Sequence, residues 1–165
     1  LLQATIFAIA NAKKSIYIQT PYFLPTEGLN QALQTAALGG IDVRLMLPKR
    51  SDTRTVNMAT HSFIDDMVKA GAKIYFYKPG FLHAKLLVID DNLTDIGSAN
   101  MDFRSFEHNF EINAFIYQSK FAQEMKKVFL NDMQNCEQLI PSLWLKRPLK
   151  QRIAESFMRL FSPLL

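Results

Sequence analysis

The stretch Phe81–Asn100, FLHAKLLVIDDNLTDIGSAN, decides the reading of this chain. A histidine and a lysine at i and i+2 head an apolar run, and Gly-Ser-Ala-Asn follows a short acidic break. On a strand, His83 and Lys85 share a face because successive side chains alternate. Asp90, five residues past Lys85, falls on the other face. Asp91-Asn92 suits a two-residue hairpin turn. A turn centred there pairs Lys85 with Ser98 and His83 with Asn100. Cross-strand partners share a face, so one hairpin would gather an imidazole, an ammonium, a hydroxyl and a carboxamide. Gly97 would let a backbone or a ligand come close. A three-residue loop would break this register.

That set of groups suits a phosphodiester. Imidazole can attack phosphorus, and lysine, hydroxyl and amide donors can hold nonbridging oxygens as charge develops. A nucleophilic histidine needs its far nitrogen anchored, usually by a carboxylate, and Glu111 on the later segment FEINAFIY is the candidate. Singly, each residue has an ordinary reading: a structural histidine, a solvated lysine, turn-forming Ser and Asn, a surface-paired glutamate.

Outward from this stretch, strands alternate with helices. Leu1–Lys14 has helical spacing, Ser15–Thr20 reads as a strand ending at Pro21, and Glu27–Leu38 as a helix stopped by Gly39-Gly40. Ile41–Leu47 is strand-like, Thr55–Ala70 helical up to Gly71, Lys73–Tyr77 and Phe110–Tyr117 strand-like, and Ser119 a candidate cap for a helix to about Asn135. The pattern predicts an α/β layered domain over residues 1–140. Residues 141–165 read as a separate basic amphipathic tail with a helix at Gln151–Phe161.

Of 165 residues, 48% are apolar and 21% charged, as in an ordinary globular domain. Residues 1–140 hold 14 basic and 14 acidic side chains and residues 141–165 five and one, so all of the net charge of +4 lies in the tail. A broadly basic nucleic-acid face is therefore not expected. One cysteine, Cys136, allows no internal disulfide. No apolar run reaches the ~18 residues of a membrane span, and no signal peptide is visible. LLQATIFAIANAKK reads as a helix already under way, so the chain reads as a piece of something longer. Three histidines and several aspartates invite a metal, but no metal-binding spacing supports one.

The spacing His83-x-Lys85, four residues, Asp90, six residues, Gly97-Ser98-x-Asn100 resembles the HKD motif of the phospholipase D superfamily. Asp102, Arg104, Ser105, Asn109 and Glu111 fit the same pattern. Within the superfamily, TPYFLP (Thr20–Pro25), GFLHAK (Gly80–Lys85), GSANMDFRSFEHNFE (Gly97–Glu111) and RLFSPLL (Arg159–Leu165) resemble the C-terminal half of bacterial cardiolipin synthases. The resemblance implies a phospholipase D-like layered sandwich, a mixed sheet flanked by helices, with catalytic residues His83, Lys85, Asp90 and Glu111. His83 would form a phosphohistidine, Lys85, Ser98 and Asn100 would bind the phosphate, and Glu111 would orient His83. Strand parity gives Asp90 a structural part within that set. The implied reaction joins two phosphatidylglycerols into cardiolipin and glycerol, without metal or other cofactor, at a bacterial membrane and on its cytoplasmic face. The family carries two such motifs per chain and this sequence has one. His61 and His108 lie in no H-x-K, so a second half would come from a missing N-terminal region or a homodimer. Which histidine attacks and which protonates stays open.

Alternatives remain. The same motif serves nucleases, against which the neutral balance of residues 1–140 counts, and the chain could be an inactive half-domain. Tyr22 and Phe23 could line a substrate cleft or be core aromatics. Arg104-Ser105 could support the hairpin or touch the headgroup, and support is the favoured reading. In the tail, Trp144, Leu145, Leu149, Ile153, Phe157, Leu160 and Phe161 with five basic residues suit a helix on an anionic membrane, or one packed on the domain.

Overall fold

Strands whose residues are apolar on both faces must be covered on both faces. In the computed structural model, which describes residues 1–165, that is how the central strands lie. The chain runs α1 (Leu2–Ala10), β1 (Ser15–Gln19), β2 (Phe23–Leu24), α2 (Glu27–Leu38), β3 (Asp42–Pro48), α3 (Arg54–Lys69), β4 (Lys73–Tyr77), β5 (Leu86–Ile89), β6 (Leu93–Gly97), β7 (Met101–Asp102) and α4 (Phe103–Glu107). It continues through β8 (Asn113–Tyr117), α5 (Ser119–Met133), β9 (Cys136–Gln138), α6 (Pro141–Trp144) and α7 (Leu149–Arg159) to a 3-10 turn at Ser162–Leu164. Seven strands form one sheet in the order β8-β6-β5-β1-β3-β4-β9. β1, β3 and β4 are parallel and the remaining pairs antiparallel. The α/β class and the mixed, helix-flanked sheet expected from the sequence are what the structure has.

Alternation sorts the core into two layers. Ile16, Ile18, Val43, Leu45, Ile74 and Leu87 face α1, α2 and α3 in the larger cluster. Tyr17, Met46, Tyr75 and Val88 face the other way, onto Ala122 and Phe129 of α5. Phe129 is fully buried and stacks on Tyr17 with ring centroids 5.0 Å apart. Truncating it to Ala would cost about 3–5 kcal/mol.

Helix limits follow local chemistry. Thr26 caps α2, its hydroxyl accepting from the Leu29 amide, and Gly40 and Gly71 turn the chain beyond α2 and α3 at φ of 89° and 94°. Ser119 is not the cap of α5; Gln118 holds that position and makes no side-chain cap bond. The Phe110–Tyr117 segment pairs only from Asn113, which leaves Glu111 in the loop ahead of β8.

The hairpin register differs from the expected one by a residue. Ile89 pairs with Leu93 and Leu86 with Ile96, so the loop is Asp90-Asp91-Asn92. Asp90 and Asp91 both take left-handed backbone, φ 53° and 61°, which Asp tolerates. His83 and Lys85 lie just ahead of β5 rather than in it.

The tail is docked on α3. Asp65 of α3 accepts from Trp144 Nε1 at 2.6 Å and from Arg147 at 2.8 Å, and Arg147 also pairs with buried Glu155 at 2.7 Å. Arg159 holds Asp66 at 2.6 Å. His61 meets Glu155 at 3.1 Å and packs edge-on against Trp144; burial pushes its pKa down. The Trp144 ring lies under the Arg147 guanidinium, 3.6 Å from its centroid, so it serves the docking and not a membrane interface.

Candidate functional site

Where β5, β6 and the start of β8 meet, the loops after β4 and β6 carry the motif residues in two contacting pairs, His83 with Lys85 and Ser98 with Glu111. β6 is crossed so closely that a Cβ on Gly97 would sit 2.2 Å from the Ile112 carbonyl and 2.6 Å from Asn113 Cα. The close approach read from Gly97 is therefore that of backbone. Ser98 continues the pairing, its amide donating to the Ile112 carbonyl at 3.0 Å. Asn113 then fixes the loop, accepting from the Ala99 amide at 3.2 Å and donating to Asp95 at 2.9 Å. The two-stranded parallel sheet of β2 and β7 ties TPYFLP to GSAN, and Thr20 accepts from the Met101 amide at 3.2 Å.

His83 is exposed, packed loosely against Phe81 with ring centroids 5.6 Å apart. Lys85 Nζ lies 3.2 Å from both His83 ring nitrogens and 3.1 Å from the His83 carbonyl. A neutral imidazole has one acceptor nitrogen, so the ammonium can donate only to whichever ring nitrogen is unprotonated. Lys85 is the ring's hydrogen-bond partner, and no carboxylate is bonded to it. Burial pulls the Lys85 pKa below the ordinary lysine range, while the negative charges of Glu111 and Asp102 act against that pull.

Glu111 does not meet His83. Its carboxylate accepts from the Ser98 hydroxyl and, at 3.2 Å, from Asn109. Ser98 also accepts from the Ile112 amide at 3.0 Å, so its hydroxyl proton is committed to Glu111. The Asn100 side-chain oxygen is buried without a donor, an arrangement that native structures tolerate chiefly at sites with other duties. Its amide donates to Ser105 Oγ at 3.1 Å, and the Ser105 amide donates to Asp102 at 2.7 Å. Ser105 is thus the support expected of it.

Asp90 faces away from the other motif residues, held by the α1–β1 turn and not by strand parity, since it lies in the loop beyond β5. Its carboxylate accepts from the amides of Lys13, Lys14 and Ser15 at 2.5, 2.7 and 2.8 Å. It clamps the α1–β1 turn to the hairpin loop and touches none of the other motif residues.

Beside the motif lies a cleft of about 470 Å³, lined among others by Tyr22, Asn100, Asp102, Arg104, Asn109 and Leu164. Tyr22 adjoins Phe81, ring centroids 6.3 Å apart, and Phe81 adjoins His83, so an aromatic row leads from cleft to histidine. Of the two candidate aromatics, Tyr22 lines the cleft and Phe23 is core, fully buried. The Tyr22 hydroxyl donates to Asp52 at 2.6 Å, and burial with that bond pushes its pKa up to about 12. Arg104 lines the cleft and donates to the Leu165 carbonyl at 3.4 Å, a role beyond hairpin support.

Sequence reasoning missed Asp95, buried behind the site, where desolvation raises its pKa to about 6. Its place as an acidic residue in an otherwise apolar strand was the available signal. The contributions of Leu164 and Leu165 to the cleft had none, because they depend on the docking of the tail.

The family described as cardiolipin synthase, PLD-like domain, matches residues 5–133. The chain belongs to that family. It is 47% identical over 154 residues to a cardiolipin synthase of Listeria welshimeri, covering 93% of this chain and 32% of the relative. It is equally 47% identical over 157 residues to cardiolipin synthase 2 of Bacillus cereus, covering 95% and 30%. The chain thus spans about a third of the length of these curated relatives. Among solved structures, the phospholipase D family member Nuc from Salmonella typhimurium superposes with a TM-score of 0.73 at 20% identity, covering 83% of this chain and 89% of that one. Phosphatidylserine synthase from Haemophilus influenzae gives 0.73 at 16%, covering 99% and 44%. These two likenesses establish the phospholipase D-like fold.

Proposed function

We propose that this chain supplies one histidine–lysine half of a phosphatidyltransferase site that makes cardiolipin from two phosphatidylglycerols. A His83 ring nitrogen attacks phosphorus, and the bond from phosphorus to the glycerol oxygen breaks. Glycerol leaves with a proton from the histidine of a second half. A hydroxyl of a second phosphatidylglycerol then attacks the phosphatidyl-histidine, gives its proton to that same partner histidine, and frees His83. Lys85 and Asn100 hold the nonbridging oxygens. Ser98 joins them once Glu111 turns from it, and Glu111 so released can orient the imidazole. Asp90 fixes the loop and takes no chemical part. The second half comes from the rest of a longer chain or from a second copy. No cofactor enters this scheme.

One observation carries the reading: an exposed imidazole whose ring is met by the Lys85 ammonium at 3.2 Å and by no carboxylate, near a cleft lined by Asn100 and Arg104. Intact mass after brief incubation with phosphatidylglycerol vesicles tests it, quenched without acid and run beside His83→Ala. The expected result is an adduct of phosphatidyl mass that the variant lacks. An adduct that persists in His83→Ala overturns the assignment of the nucleophile. No adduct in either protein refutes competence of the chain alone and leaves His83 the acid–base part.

A further inference from the structure

Helix α7 is packed inside out. A surface helix normally buries its apolar stripe and shows its polar side to water. Here Arg152, Glu155 and Arg159 turn inward and bind Asp65, Arg147 and Asp66 beneath them. Leu149, Ile153, Phe157 and Leu160 recur at i, i+4, i+8 and i+11 on the face turned away from Glu155, Leu149 and Ile153 bordering a cleft with Arg152 and Arg159, and Leu164 follows in the 3-10 turn. All five are between 58% and 78% exposed. Nothing in the chain covers them.

The charge around this stripe says what does. Arg147, Arg152 and Arg159 are consumed by carboxylates below the helix. Lys146 and Lys150 are exposed and enter no ion pair, so the free charge beside the stripe is positive. A convex apolar stripe flanked by lysines is the form of a helix lying in the plane of an anionic lipid surface. The stripe also has a direction. Leu164, its last member, is a wall of the cleft beside Asn100.

We infer that the outer face of α7, from Leu149 to Leu164, rests on an anionic bilayer and sets the mouth of the cleft at the lipid surface. This deepens the phosphatidyltransferase reading, and rests on it for the meaning of the placement, though not for the binding itself. A phosphatidyl substrate would then pass from the bilayer along the leucine and phenylalanine stripe into the cleft without its acyl chains crossing water.

Co-sedimentation of the 165-residue chain with vesicles of phosphatidylglycerol and phosphatidylcholine, and with phosphatidylcholine alone, tests this. The chain should bind the anionic vesicles and prefer them to the zwitterionic ones. Ile153→Asp/Phe157→Asp should weaken partition by roughly a hundredfold, about tenfold per side chain. Lys146→Gln/Lys150→Gln should weaken it by roughly thirtyfold on anionic vesicles only. Both pairs are exposed, so melting temperature and Trp144 emission should match the parent. If the aspartate pair does not fold, Leu160→Gln serves in its place. Absence of vesicle binding by the parent, or variants that bind as the parent does, would overturn the inference. So would a dimer in sedimentation velocity that Ile153→Asp/Phe157→Asp dissociates, since a second copy would then cover the stripe. His83→Ala should bind vesicles as the parent does, so loss of the covalent adduct and loss of the surface are read separately.

Discussion

Replacing Asp90 separates architecture from chemistry at the third named position of the motif. Its carboxylate accepts three consecutive amides, from Lys13, Lys14 and Ser15, and its own amide donates to the Ser15 carbonyl at 3.1 Å. A hydrogen bond to a charged group contributes about 1.5–3 kcal/mol. Three on one carboxylate do not add, and two of these are solvent-exposed. Asp90→Ala also places alanine at φ 53°, which costs about 1 kcal/mol. The sum is roughly 3–4 kcal/mol, a large share of the 5–15 kcal/mol typical of a domain. Asp90→Asn keeps the tolerated backbone and one acceptor oxygen, and should lose only about 1–2 kcal/mol. Urea unfolding measures both, and amide exchange at Lys13–Ser15 should quicken in both. Adduct formation from phosphatidylglycerol by folded Asp90→Asn should stay within about threefold of the parent, because no motif residue contacts Asp90. An Asp90→Asn protein as stable as the parent but without adduct would refute the reasoning and place Asp90 in the chemistry.

Three further outcomes are expected. Gly97→Ala puts a methyl 2.2 Å from the Ile112 carbonyl, against backbone that cannot yield cheaply, and should cost about 2–4 kcal/mol in urea unfolding. Asp95 has its pKa raised to about 6 by burial, so the folded state holds its proton more tightly than the unfolded state. The parent should therefore lose about 2–3 kcal/mol as pH rises from about 4 to 6, and Asp95→Asn should flatten that slope in unfolding curves taken at each pH. Asp65→Asn removes the charge that holds Arg147 and accepts from Trp144, and should cost about 2–4 kcal/mol. Trp144 is the single tryptophan, so release of the tail would appear as a red shift of emission; unchanged emission would mean that other contacts hold it.

The legible parts of the fold were those with local causes. Glu27–Leu38 and Lys73–Tyr77 end where periodicity and Gly or Pro say they should. The short strands β2, β7 and β9 were not legible, since two or three residues form a strand only when a distant partner is in place. The hairpin register failed for a related reason. The loop takes a third residue because Asp90 is drawn back to the α1–β1 turn, some 75 positions away in sequence. Yet the motif still assembles after that slip. The outward turn of Asp90 is set by its bonds to the α1–β1 turn, and the Gly97–Met101 segment is held by Asn113, Ser105 and Thr20 from other segments.

On the proposed function the site is one half of a pair. A catalytic imidazole works from a fixed tautomer in a site that excludes water; His83 here is exposed and has no carboxylate on either ring nitrogen to fix its tautomer. The carboxylate suited to orient it is held by Ser98 and Asn109. Lys85 is held between opposing forces, burial lowering its pKa and two carboxylates raising it. Next to Glu111 stand Phe110, fully exposed, and Ile112, four-fifths exposed. A second half seated over Phe110 and Ile112 would bury them, dry the imidazole and raise the cost of leaving it unpaired. Each of those changes favours Glu111 leaving Ser98 for His83, which at once frees the Ser98 hydroxyl for phosphate. If His83 is the nucleophile as proposed, seating the partner would also arm it, and Ser98→Ala/Asn109→Ala should remove both holds on Glu111 before any partner arrives.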